Sequence, residues 1–155
     1  MESIADTMKE SPTLLSELEK AINDEILAAY QYWTAYQVST GPGKYDADDI
    51  FLEHVKQEWD HAEMLAERIR ELDGKFCLDL SHIRDCANPW TPVSSGAVSD
   101  LAELILEYER RAVTKYTRLA DMARGTDTVT YRILQKILQT ETEHEYEMRT
   151  LIKTL

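Results

Sequence analysis

The residues with the clearest capacity for chemistry are two Glu-x-x-His segments, Glu58 to His61 and Glu141 to His144. A single glutamate precedes each one, Glu25 by 33 residues and Glu109 by 32, so the same set is written twice along the chain. On a helix, residues three apart share a face, so each segment presents a carboxylate beside an imidazole. Oxygen and nitrogen donors of this kind suit divalent first-row ions such as iron or manganese and serve thiolate-preferring metals poorly. With 4 histidines in 155 residues, one Glu-x-x-His arises by chance about half the time. Two of them are not explained that way, since each has its upstream glutamate and each such glutamate is followed seven residues later by a tyrosine, Tyr32 or Tyr116.

The elements that must position these groups follow from apolar periodicity. Steps of three and four connect Leu18, Ile22, Glu25, Ala29 and Tyr32; then Val55, Glu58, Ala62, Leu65 and Ile69; then Ile105, Glu109, Ala112, Tyr116 and Leu119; and finally Leu134, Ile137, Glu141, His144 and Met148. The pattern predicts four amphipathic helices whose core faces are interrupted by acids. An uncompensated carboxylate in such a core costs about several kcal/mol. No Lys or Arg lies on these stripes, so a pair of metal cations is the simplest compensation.

Ser11-Pro12 reads as the start of the first helix, which runs to Gly41-Pro42-Gly43. The second starts near Asp46 to Asp48 and stops at Gly74, and the short connection makes the pair antiparallel. Periodicity lapses from Lys75 to Val98, where turn residues dominate and Leu80 to Cys86 could form one short helix. Ser99 caps the third helix, which ends at Gly125, and Thr126 or Asp127 caps the fourth. The expected fold is all-α: two antiparallel hairpins joined by a long crossover between helices 2 and 3 that runs the length of the bundle, as a single domain over residues 1–155. The net charge of −12 disfavours nucleic acid and anionic membrane and draws in divalent cations. Neither a signal segment nor a membrane-length apolar run is seen, so a cytoplasmic location is expected.

With one Glu from each of two helices and Glu-x-x-His from each of the others, the chain resembles the ferritin-like di-iron carboxylate proteins over nearly its whole length. The resemblance implies two irons per subunit, with manganese as the alternative. Glu25 and His61 would bind one ion and Glu109 and His144 the other, with Glu58 and Glu141 bridging. Tyr32 matches the tyrosine that supports the site in that family, and Tyr116 occupies the equivalent place. Bacterioferritins carry haem on a Met directly after the Glu of the first Glu-x-x-His; Trp59 stands there, so no haem is expected. No fifth helix is expected after the bundle. A bacterioferritin-type site in a chain of this size, with cysteines in or near the crossover, is most similar to the Dps-like proteins called thioferritins.

That similarity implies a homo-oligomeric cage of twelve subunits acting as a ferroxidase: it oxidises Fe(II) with hydrogen peroxide or oxygen, stores the iron and protects against oxidative stress. The alternative is a non-storage di-iron or di-manganese peroxidase or oxygenase of the rubrerythrin type. Cys77 and Cys86 are either ordinary half-buried thiols or, as the resemblance suggests, a redox pair able to form a disulfide. His54, four residues before Glu58, reads as a solvated histidine in preference to a partner of the site or an iron-entry ligand. Trp33 and Trp59 flank ligand positions, and core packing is preferred for them over electron relay.

Overall fold

A computed structural model describes residues 12–76, 79–85, 87 and 90–155. Thr13 opens the first helix: its side chain accepts from the Ser16 amide at 3.1 Å, and α1 runs over Leu14–Val38. The start is later than expected, because Thr13 takes the extended capping conformation; the expected cap, Ser11, lies outside the described residues. Gly41 and Gly43, both with positive φ, turn the chain into α2, Lys44–Glu71. At Gly43 the positive φ favours glycine, and a Cβ would also press on the tip of the Leu155 side chain. α2 ends three residues before the expected stop at Gly74. Asp73 takes the left-handed position (φ 56°), and the Gly74 amide donates back to Ile69 at 2.8 Å.

After a single 3-10 turn at Leu80–His82, α3 covers Val98–Ala123 and α4 covers Thr128–Thr154. The cap of α3 is Ala97 instead of Ser99, with no side-chain bond. Its entry is held by backbone pairing with the α1–α2 loop: Thr40 donates to Gly96 O at 2.7 Å, and Val98 donates to Thr40 O at 3.1 Å. Asp127 caps α4, accepting from the Thr130 amide at 3.0 Å.

The crossover begins beside the start of α1, where the Lys75 amide donates to Glu19 at 2.7 Å. It ends beside the close of α1, at the Thr40–Ala97 pairing, so it traverses the bundle lengthwise. α1 packs on α2 and α3 on α4, while α1–α3 and α2–α4 contacts close the square. Two apolar clusters fill its ends. Leu18, Leu65, Ile69, Leu119 and Leu134 occupy one, and Phe51, Leu101, Ile105, Met148 and Leu151 the other. Each such side chain contributes about 1.5–3 kcal/mol of burial. The acids and histidines lie between the two clusters. Among the described residues no helix is long and apolar enough to cross a membrane.

Candidate metal centre

All four helices deliver their chemistry to one point. Glu25, Glu58, His61, Glu109, Glu141 and His144 are each at most 3% exposed. Their donor atoms form two groups: Glu25, Glu58, His61 and Glu141 in one, Glu58, Glu109, Glu141 and His144 in the other, with the atoms of each group within 4.8 Å of one another. The shared acids divide their oxygens between the histidines. His61 Nδ1 lies 3.3 Å from Glu58 Oε2 and 3.1 Å from Glu141 Oε1, while His144 Nδ1 lies 3.1 Å from Glu58 Oε1 and 3.6 Å from Glu141 Oε2. Glu25 Oε2 stands 3.4 Å from His61, and Glu109 Oε2 stands 3.7 Å from His144.

Four of the converging atoms, Glu58 Oε1, Glu109 Oε2, Glu141 Oε1 and His144 Nδ1, are buried without a hydrogen-bond partner among the described residues. Buried polar atoms are seldom left so, and two clusters of such atoms around a common space fit a pair of bound cations. The donor set of four carboxylates and two imidazoles suits iron or manganese.

Supporting groups fix these side chains from behind. The Tyr32 hydroxyl on α1 donates to Glu109 Oε1 on α3, and the Tyr116 hydroxyl on α3 donates to Glu25 Oε1 on α1, so each tyrosine serves the other half. Burial, the largest influence, and the neighbouring acids hold both phenols well above their usual range, so they remain donors. His144 Nε2 donates to Gln57 Oε1 at 2.6 Å, which turns Nδ1 toward the carboxylates.

The electrostatics of these residues are those of crowded acids stabilised by protons. Burial lowers the His61 imidazolium, but the surrounding Glu141, Glu25 and Glu58 carboxylates outweigh it and push the group up to about 12. His144 is raised in the same way by Glu109, Glu141 and Glu58 against burial. Burial and Glu141 push Glu58 up to about 7, and burial holds Glu109 well above the carboxylate range. Burial also opposes ionisation of Glu25 and Glu141, yet both are lowered, Glu25 chiefly by Lys115 and Glu141 by the two histidines. Protons on the histidines and on Glu109, together with the Lys115 ammonium, offset part of the crowded negative charge, a role that bound cations would also fill.

Three expectations are corrected. A cation does reach the acids: Lys115, beside the α3 stripe, is largely buried and places Nζ 3.1 Å from Glu25 Oε1 and 3.2 Å from Asp24 Oδ2. His54 is buried instead of solvated. It stacks on His144 at 3.9 Å, meets the edge of Tyr32 at 4.8 Å, and bonds through Nε2 to Glu147 at 2.6 Å. Burial, then the adjacent His144 charge, hold it down to about 2, so it is neutral. Trp33 and Trp59 are half exposed and outside the core, because each lies one residue beyond its helix's buried face. Cys77 and Cys86 lie outside the described residues. Gln57, Lys115 and Glu147 were not singled out by the sequence; the only signal was the position of Gln57 next to Glu58 and of Lys115 next to Tyr116.

A cavity of about 670 Å³ opens between α1 and α3 and reaches Glu25, Glu58, Glu109 and Glu141. Its walls carry both signs: Arg110, Arg111, Lys115 and Arg118 stand among Asp24, Glu25, Glu58, Glu109 and Glu141.

Fold and site together describe a four-helix carboxylate bundle, and residues 15–155 match the ferritin-like domain family, to which the chain belongs. It is 30% identical over 135 residues to the DNA protection during starvation protein of Pyrococcus furiosus, covering 85% of this chain and 72% of that one. Among solved structures, it is similar to the dodecameric thioferritin, the bacterioferritin-related protein of Bacteroides fragilis. That likeness has a TM-score of 0.89 and 31% identity, covering 91% of this chain and 84% of the other. Dps from Thermosynechococcus elongatus shares the fold, with a TM-score of 0.84, 19% identity and coverage of 90% and 89%.

Proposed function

We propose that the chain is a ferroxidase that binds two ferrous ions at this centre, oxidises them with hydrogen peroxide or oxygen, and stores the ferric product inside a cage of twelve copies. The observation that carries the reading is the division of Glu58 and Glu141 oxygens between His61 and His144, which gives two adjoining donor sets with shared acids. Glu25 and His61 would complete one set, and Glu109 and His144 the other. In the peroxide reaction each ferrous ion gives up one electron, and one peroxide takes both electrons and two protons to leave as two waters.

The chain's own part is positional. The two apolar clusters close the bundle on either side of the centre, and Tyr32 and Tyr116 hold Glu109 and Glu25 in orientation. Gln57 keeps Nδ1 of His144 available. The α1–α3 cavity reaches Glu25, Glu58, Glu109 and Glu141, which supports entry of a small oxidant on this side. The cage is supported by the likeness to the dodecameric thioferritin, and the net charge of −12 gives no support to a nucleic-acid surface.

The test is stopped-flow oxidation of ferrous iron by peroxide and by oxygen, with native mass measured on the same material. Rapid oxidation by a particle of about twelve chains, lost in Glu58→Ala and in Glu141→Ala, is expected. Unchanged kinetics in both variants would remove the site from the reaction, and a dimer would remove storage and favour the rubrerythrin-type alternative.

A further inference from the structure

We propose that Lys115 makes the two cation positions unequal, so that the Glu109–His144 position fills before the Glu25–His61 position. The inference rests on reading the site as a two-cation centre. The six ligand candidates repeat with near-twofold symmetry, and so do the tyrosines behind them. The residue just before each tyrosine breaks that symmetry. Lys115 lies six residues after Glu109, and the corresponding residue six after Glu25 is Gln31.

The Lys115 side chain is 11% exposed, and its ammonium, besides bonding Glu25 and Asp24, sits 4.4 Å from the centre of the Tyr116 ring. Gln31 is buried and neutral, and its Nε2 has no acceptor among the described residues. Glu25 Oε1 therefore accepts from both Lys115 and Tyr116, whereas Glu109 accepts from Tyr32 alone and its Oε2 from nothing described.

A fixed positive charge at hydrogen-bond distance from a ligand carboxylate repels a cation arriving at the same carboxylate. In a partly desolvated site this repulsion is worth roughly tenfold or more in affinity. The acceptor Gln57 behind His144 acts in the same direction, since it strengthens that imidazole as a donor. The weaker Glu25–His61 position would then be the one that exchanges first.

Zinc is a redox-silent probe of this order. Crystals grown with one zinc per chain should show anomalous density concentrated between Glu109 and His144, and calorimetry should resolve two steps about tenfold or more apart. Lys115→Gln should raise the weaker affinity about tenfold and even out the two occupancies. The double variant Lys115→Gln with Gln31→Lys should reverse the filling order. Equal occupancy in the unaltered protein, or a step ratio unchanged within about twofold in Lys115→Gln, would overturn the inference while leaving the two-cation reading intact. Fewer than two zinc ions per chain would overturn both.

Discussion

Replacing Gln57 by Leu keeps the side chain's bulk and removes the acceptor that His144 Nε2 meets at 2.6 Å. The ring is 1% exposed, so its N–H finds no water in exchange. Two consequences separate cleanly. Leaving that donor unsatisfied costs about 1–3 kcal/mol, which in a chain of 155 residues lowers the melting temperature of the cation-free protein by about 2–12 °C. Losing the group that orients a ligating imidazole costs about 10- to 100-fold in metal affinity, or about 1.4–2.7 kcal/mol. That loss should fall on the Glu109–His144 position and spare the other, whose histidine does not touch Gln57. Zinc calorimetry reads the affinity, and a thermal melt of the cation-free protein reads the stability. Gln57→Glu, which keeps the acceptor, should restore binding. A Gln57→Leu protein that melts lower yet binds both zinc ions as tightly as the parent would refute the reasoning, because the bond would then matter to the fold and not to the site.

The raised His61, His144 and Glu109 groups carry protons at neutral pH before metal binds, Glu58 does so in part, and loading must expel them. Zinc affinity should therefore strengthen as pH rises through neutrality, with proton release seen by calorimetry in two buffers of different ionisation enthalpy; pH-independent binding would contradict this. Asp127 caps α4 and also receives Arg68 Nη2 at 2.9 and 3.1 Å, so Asp127→Ala should cost about 2–5 kcal/mol, a fall on the order of 10 °C in melting temperature. Asp127→Asn keeps the cap and should lose about half as much; equal losses would assign the whole effect to the ion pair. Although burial opposes ionisation, Thr130 and Arg68 lower the Asp127 carboxyl to about 2. Its contribution is thus complete above the usual carboxylate range and is lost as pH falls from about 4 through about 2. The resemblance to thioferritins predicts that Cys77 and Cys86 oxidise reversibly under peroxide; thiol titration finding both free before and after treatment would contradict it.

The convergence of six side chains was legible because acids at core positions leave a gap in an otherwise apolar stripe, and that gap appears four times. The hairpins and the lengthwise crossover were legible from Gly41, Gly43, Gly125 and the lapse after Lys75. What stayed hidden depends on contacts between helices. Lys115 sits beside its stripe and reads as solvated, yet its flexible stem carries the ammonium to acids on another helix about ninety residues away in sequence. His54 lies three residues after Phe51 and four before Glu58, so spacing within α2 allowed its burial. Its charged neighbours Glu53 and Lys56 favoured solvent, and only the contacts with His144 of α4 and Tyr32 of α1 decide between the two. The stop of α2 shifted because Asp73 could adopt the left-handed turn, leaving Gly74 to meet a different need. A Cβ there would lie 2.7 Å from both Ile69 and Leu15.

The central claim is that these six side chains hold two metal ions per chain, with Glu58 and Glu141 common to both. Anaerobic equilibrium dialysis against ferrous iron measures this directly in the parent chain and in the double variant Glu58→Ala with Glu141→Ala. Two irons per chain in the parent and essentially none in the variant is the predicted result; the same iron content in both would contradict the account.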